Sequence, residues 1–242
     1  MSAREFVNED LAGAVFREVD LTGARMFGVL LTDADLDGDI TGLRVNGVEI
    51  GPLVEAELDR LHPERAAFRP TTPDGLREAL RQWDELWRPT VARAVALGED
   101  ALHTRVNGEW SFVETRRHLI FVVDKWFGDA VLGDPHAFHP IGLPAALITD
   151  GASSGIDARP TFAEVEEVLA GRIDTLREYA ATATQEELDR VNPRNPAPGS
   201  PPPADRTAIQ CLRVIFNDGW AHHRFAVRDL AALEGASSGR PA

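Results

Sequence analysis

Apolar positions in this chain follow two different periods. From Phe6 to Leu36 a large apolar residue stands at every fifth position: Phe6, Leu11, Phe16, Leu21, Met26, Leu31 and Leu36. A small or short residue precedes most of them by two: Ala14, Val19, Ala24, Val29 and Ala34. A glycine or another turn-forming residue follows most of them by two: Gly13, Gly23, Gly28, Asp33 and Gly38. A period of five matches neither the helical nor the strand repeat. A short fixed period is the mark of a solenoid, with each step forming one side of a coil and the large residue pointing inward.

Beyond this segment the pattern turns helical. Asn46-Gly47 in "GLRVNGVEIGPLV" predicts a small hairpin, and "VEAELDRLHPE" a short helix that ends at Pro63. In residues 73–97, Leu76, Leu80, Trp83, Trp87 and Val91 fall on one helix face; Asp74 is placed to cap this helix and Pro89 to kink it. Three more helices open on capping boxes: Ser111-x-x-Glu114, Thr161-x-x-Glu164 and Thr207-x-x-Gln210. A short helix, "QEELDRV", and a proline-rich loop, "NPRNPAPGSPPPADR", expected to be ordered only in part, separate the last two. Four long amphipathic helices with long connections predict a four-helix bundle. The resulting division is 1–42 for the repeat, 43–72 for a linker, 73–234 for the bundle and 235–242 for a disordered tail.

Charge and composition narrow the partners. The 242 residues carry a net charge of −14, which disfavours nucleic acid and anionic membranes, because both would be repelled. The one cysteine, Cys211, excludes an internal disulfide and reads as a buried small residue. "MSAREFVNED" lacks the basic and apolar regions of a signal peptide, and "LIFVVDKWF" is too short and too charged to span a membrane. The expectation is a cytoplasmic protein.

The repeat resembles the pentapeptide-repeat family, whose pattern is A(D/N)LXX. "ADLDG" (34–38) matches it, "VDLTG" (19–23) nearly so, and the register holds over residues 4–38. The resemblance implies a right-handed quadrilateral β-helix. Seven steps make less than two turns, so the coil should lean on another surface.

Candidate chemistry lies in "NDGWAHHRFAVRDL" (217–230). Adjacent helical side chains point about 100° apart, so His222 and His223 should not share a role. His223 falls on the stripe of Leu212, Phe216, Gly219, Ala226, Val227 and Leu230. Asp218 and His222 stand four apart on the neighbouring stripe, a spacing that suits half of a divalent-metal site. His118, on the second long helix, is the candidate third ligand. Against this stands the reading of His223 as a core histidine and of His222 as a surface residue paired with Asp218. His136 and His139, in "GDPHAFHP", read as loop residues.

One inward histidine on the second helix followed by "HHR" on the last is similar to the DinB-like superfamily of four-helix bundles, over residues 70–234. That superfamily includes S-transferases and isomerases dependent on mycothiol or bacillithiol. Its metal triad is a histidine plus His-x3-His or Glu-x3-His. Two registers follow. With His223 as the last histidine, the position four before it is Gly219, which cannot ligate; one residue earlier, Asp218 and His222 keep the carboxylate-x3-histidine spacing. The resemblance implies a zinc or nickel ion, a low-molecular-weight thiol such as mycothiol, a small-molecule substrate and a homodimer. A non-catalytic binding or oligomerisation module with a degenerate metal site is the alternative.

Overall fold

The computed structural model describes residues 5–17, 19–145, 156–192 and 204–238. Contacts divide the chain into residues 1–36 and 37–242.

In the first unit the five-residue period is written into the backbone. Asn8, Gly13, Gly23, Gly28 and Asp33 all have positive φ, between +56° and +75°. Ala14, Ala24 and Ala34 donate their N–H to the carbonyls of Leu11, Leu21 and Leu31, which closes a turn every ten residues. Asp10 and Asp20 cap two of these turns by accepting the N–H groups of Ala12 and Thr22 at 3.0 and 2.8 Å. No strand is formed among the described residues of this unit. The seven apolar residues of the repeat remain between 45% and 65% exposed. The inward-facing stack and the β-helix expected from the sequence are therefore not seen, as fits a coil with too few steps to cover its own interior.

The second unit opens with the Asn-Gly hairpin. β1 (Arg44–Val45) pairs antiparallel with β2 (Val48–Glu49). Asn46 and Gly47 take φ values of +50° and +82°, as a type I′ turn requires. Next come α1 (Gly51–Leu61) and a 3-10 turn (Pro63–Phe68). Arg65 and Arg69 pair with Glu55 and Asp59 and lash the two together.

α2 spans Pro73–Ala96 and runs unbroken through Pro89. Its cap is Thr72 rather than Asp74: Thr72 Oγ1 accepts the Gly75 N–H at 3.1 Å, while Asp74 lies inside the first turn, paired with Arg77. α3 is a single turn, Glu99–Leu102. α4 (Phe112–Val123) continues into a π-helical turn, Asp124–Asp129. α5 (Phe162–Thr182), α6 (Gln185–Asp189) and α7 (Ala208–Ser238) follow. All three expected capping boxes form, and Thr184 with Glu187 adds another at α6. Residues 235–238, expected in a disordered tail, continue α7. Most of the proline-rich loop, residues 193–203, lies outside the described residues. Its ends meet in an antiparallel bridge between Val191 and Thr207.

α2 and α4 each pack against both α5 and α7, so the four long helices form a ring. Among the described residues no helix is long and apolar enough to cross a membrane. α4 is the most enclosed: every residue from Phe112 to Val123 except Glu114 is buried. α5 and α7 cover two of its sides, and the loop 133–145 lies along it. Leu143 N–H donates to the Arg117 carbonyl at 3.1 Å, and a Cβ on Gly128 would meet Ala137 Cβ at 2.9 Å.

α2 and α7 meet closely at Gly219. A Cβ on Gly219 would lie 2.1 Å from Cζ3 of Trp83, whose indole is 3% exposed and cannot swing away. Glycine is required here so that the indole can lie on the helix backbone. We predict that Gly219→Ala destabilises the protein by about 1–3 kcal/mol, the usual cost of overpacking a tight core, despite alanine's better helix propensity. Urea denaturation checks this; an unchanged or raised midpoint would show that the indole relaxes freely.

Candidate metal centre

With Gly219 turned onto Trp83, the neighbouring positions of α7 face α4. Asp218 and His222, one turn apart, meet His118 there. His118 Nε2 lies 3.7 Å from Asp218 Oδ2, and His222 Nε2 lies 3.6 Å from the same oxygen. One donor atom from each residue falls within 4.8 Å of the others. The two imidazole centroids are 4.7 Å apart.

Each side chain is prepared for one orientation. His118 Nδ1 lies 2.8 Å from the Leu143 carbonyl oxygen. A carbonyl only accepts, so Nδ1 carries a proton, and Nε2 is the atom turned toward Asp218. Burial pulls His222 down to about 4, against the opposing pull of Asp218, so its ring is neutral at pH 7. Burial pushes the Asp218 carboxyl up, but His222, His118 and the Lys125 ammonium outweigh it, and the net direction is down. Asp218 is thus a carboxylate whose Oδ2 is buried and has no hydrogen-bond partner.

That oxygen tests whether the residues fit a metal. Buried carboxylate oxygens are normally hydrogen-bonded, and an orphan costs about 1–3 kcal/mol or more. A cation between the three donors would satisfy it. Two imidazoles and one carboxylate suit zinc and related divalent ions, whose protein ligands lie about 2 Å away and hence about 3.3 Å from one another. The 3.6 and 3.7 Å separations need only a few tenths of contraction.

Aromatic rings wall the triad. Trp110 lies over both imidazoles, 4.7 Å from His118 and stacked 5.7 Å from His222. Phe121 stacks on His118 at 6.1 Å, and Phe225 meets His222 edge-on at 5.8 Å. Trp110 is held by its loop: Arg105 pairs with Glu114 of α4, and Glu109 with Arg228 of α7. Between them Asn107 and Gly108, at φ +51° and +74°, make the sharp turn.

Not every candidate joins the site. His223 is turned toward α2, where its Nε2 meets Thr90 Oγ1 at 2.8 Å and its ring packs edge-on against Trp87 at 5.1 Å. It is a packing residue, for the reason anticipated: it lies about 100° around the helix from His222. His136 is exposed, and its N–H donates to Asp134. His139 is half-buried beside Asp124, away from the triad. Cys211 is 1% exposed, and burial pushes its thiol up.

The sequence profile of the DinB superfamily matches residues 82–226, a stretch that contains all three members of the triad. The chain belongs to the DinB superfamily. Searches of curated proteins and of solved structures returned no match. For this DinB-superfamily chain, the registers left open by the sequence reduce to one: Asp218 and His222 face His118, and Gly219 and His223 face α2. Sequence reading passed over Trp110 and the Leu143 carbonyl. Trp110 had a signal, as an apolar residue immediately before a capping box. Leu143 had none, because its contribution is a backbone oxygen delivered by a loop.

The packing histidine gives a pH prediction. Burial lowers His223 from 6.5 to about 4. The unfolded chain therefore takes up this proton before the folded one does. Stability is fully present above about pH 6.5 and is lost as pH falls toward 4, by on the order of 3 kcal/mol for such a shift. In metal-free protein His223→Asn should flatten the decline between pH 7.5 and 4.5 by about one proton's worth, read from urea midpoints. An unchanged slope would contradict the assignment.

Proposed function

We propose that this protein is a divalent-metal-dependent DinB-superfamily enzyme that uses an external low-molecular-weight thiol for S-transfer or isomerisation. The observation that carries it is the unpartnered Oδ2 of Asp218, buried between two imidazole nitrogens at 3.6 and 3.7 Å. His118, Asp218 and His222 would hold zinc or nickel. When bound with a position open, such an ion lowers the pKa of a coordinated thiol and favours the thiolate at neutral pH. The chain's own residues support that chemistry. His222 is neutral and offers its lone pair without first losing a proton. Asp218 supplies the single negative charge of the set. Trp110, laid over both rings, keeps bulk water off them. The one cysteine is buried, with its thiol raised, so the nucleophile must come from outside.

Cobalt titration tests this reading. Wild-type protein should bind one Co²⁺ per chain with a visible d–d band. His118→Ala and Asp218→Asn should weaken binding by more than the 10–100-fold typical of losing a supporting hydrogen bond. Adding mycothiol or a comparable small thiol should produce a sulfur-to-cobalt charge-transfer band in the near ultraviolet. A d–d band without any thiol response would leave a metal site and remove the transferase reading.

Residues 5–36 favour a second role alongside the first, in oligomerisation. Their five-spaced apolar row is about half exposed along its whole length, and exposed apolar surface of this kind marks an association site. A homodimer is expected on light scattering, shifting to monomer in the double variant Phe16→Asp with Met26→Asp; a monomeric wild type would remove this role.

A further inference from the structure

The buried Asp124 has no part in the triad. It lies six residues beyond His118, in the π-helical turn, and is 2% exposed. Both of its oxygens are used. Oδ1 accepts from Arg172 Nε of α5 at 2.6 Å, and Oδ2 accepts the backbone N–H of His139 at 2.8 Å. Burial nevertheless pushes its carboxyl up to about 6, so keeping it ionised here works against the cost of desolvation. A buried ion pair seldom adds stability over a well-packed apolar pair, which makes a specifying role the better account of it.

What it specifies is the height of a strap. The loop 133–145 runs along α4 and is fastened at two levels. At the lower level Asp124 takes the His139 N–H, Arg172 Nη2 donates to the Ala137 carbonyl at 3.4 Å, and Ala137 sits against Gly128. At the upper level Arg117 Nε donates to the Ile141 carbonyl at 2.9 Å, Leu143 N–H donates to the Arg117 carbonyl, and the Leu143 carbonyl receives His118 Nδ1–H. Only three residues separate His139 from Leu143. Pro140 and Pro144 fix φ within and beside that span. Ile141 N–H turns back to His139 Nδ1 at 3.3 Å and Gly142 N–H to the His139 carbonyl at 2.9 Å, which leaves the span little slack.

We infer that the Asp124–Arg172 pair is a positioning element for the metal centre: by anchoring His139 it sets the Leu143 carbonyl against His118 Nδ1, and so keeps Nε2 as the ligand atom. This rests on the metal-binding reading only for its functional consequence. Without the carbonyl, a neutral imidazole distributes its proton between both nitrogens, and the tautomer with Nε2–H cannot ligate through that atom.

The test uses metal-free, ¹⁵N-histidine-labelled protein, with the His118 cross-peaks identified by their loss in His118→Gln. Wild type should show His118 in the Nδ1–H form. Asp124→Asn and Arg172→Met should both speed amide exchange at His139 and raise an Nε2–H population at His118. Arg172→Lys, which retains the charge, should restore most of the wild-type pattern. Zinc affinity measured by competition should fall about 10–100-fold in the first two variants. Should Asp124→Asn fail to fold, Arg172→Met carries the test, since the Arg172 side chain is partly exposed. Faster exchange at His139 with an unchanged His118 tautomer would overturn the inference, as would unchanged exchange in both variants. Because the tautomer is read without metal, a wild type that binds no metal would refute the metal reading and leave this result standing.

Discussion

The contact between the Trp83 indole and the backbone of α7 at Gly219 sets the rotation of the last helix. Trp83 is held by α2, and the only residue that allows its ring so close is glycine. Once position 219 faces α2, helix geometry settles the rest: positions 218 and 222 come to face α4, and 223 returns to α2. A carboxylate and an imidazole are thereby presented to His118, while the second imidazole is sent to Thr90 and Trp87. The candidate metal centre is a consequence of how a large aromatic ring packs, one residue out of phase with the histidine that the apolar stripe points to.

The centre also depends on what surrounds α4. A helix enclosed on nearly all sides would ordinarily be apolar, yet this one carries Arg116, Arg117, His118, Asp124 and Lys125 in buried positions. Such groups persist inside a protein only when each is answered. Arg116 is met by Glu166 of α5, Asp124 by Arg172 of α5, and Arg117 and His118 by carbonyls of the loop 133–145. Asp218 Oδ2, beside them, is buried without a hydrogen-bond partner and faces the two imidazole nitrogens of the candidate site.

Much of this was legible in the sequence. The capping boxes at Ser111, Thr161 and Thr207, the Asn-Gly turn and the apolar stripe of α2 rest on local rules, and local geometry realises them. Asp218 and His222 could be named from spacing, because i to i+4 on a helix is fixed by the backbone, and His118 from its place beside the apolar stripe of the second long helix. The choice between His222 and His223 could not be made. It depends on the contact of Gly219 with a tryptophan more than 130 residues earlier, and a glycine in a sequence reads as a missing ligand as readily as a close approach. The cap at Thr72 was missed because Asp74 is an equally good capping residue two positions on. The strap was invisible because it acts through carbonyls, which every residue has. In residues 5–36 the five-residue period appears in the φ values, but the enclosed interior it implies does not form.

His118, Asp218 and His222 are a metal site only if an ion is lost with them and not with His223. The measurement is the metal-to-protein ratio, by elemental mass spectrometry after reconstitution with zinc, for wild type, Asp218→Asn and His223→Asn. A ratio near one in wild type and His223→Asn, with loss in Asp218→Asn, is the predicted result. Loss in His223→Asn with retention in Asp218→Asn would place the ion on the other face of α7, and no metal in any of the three would contradict the site itself.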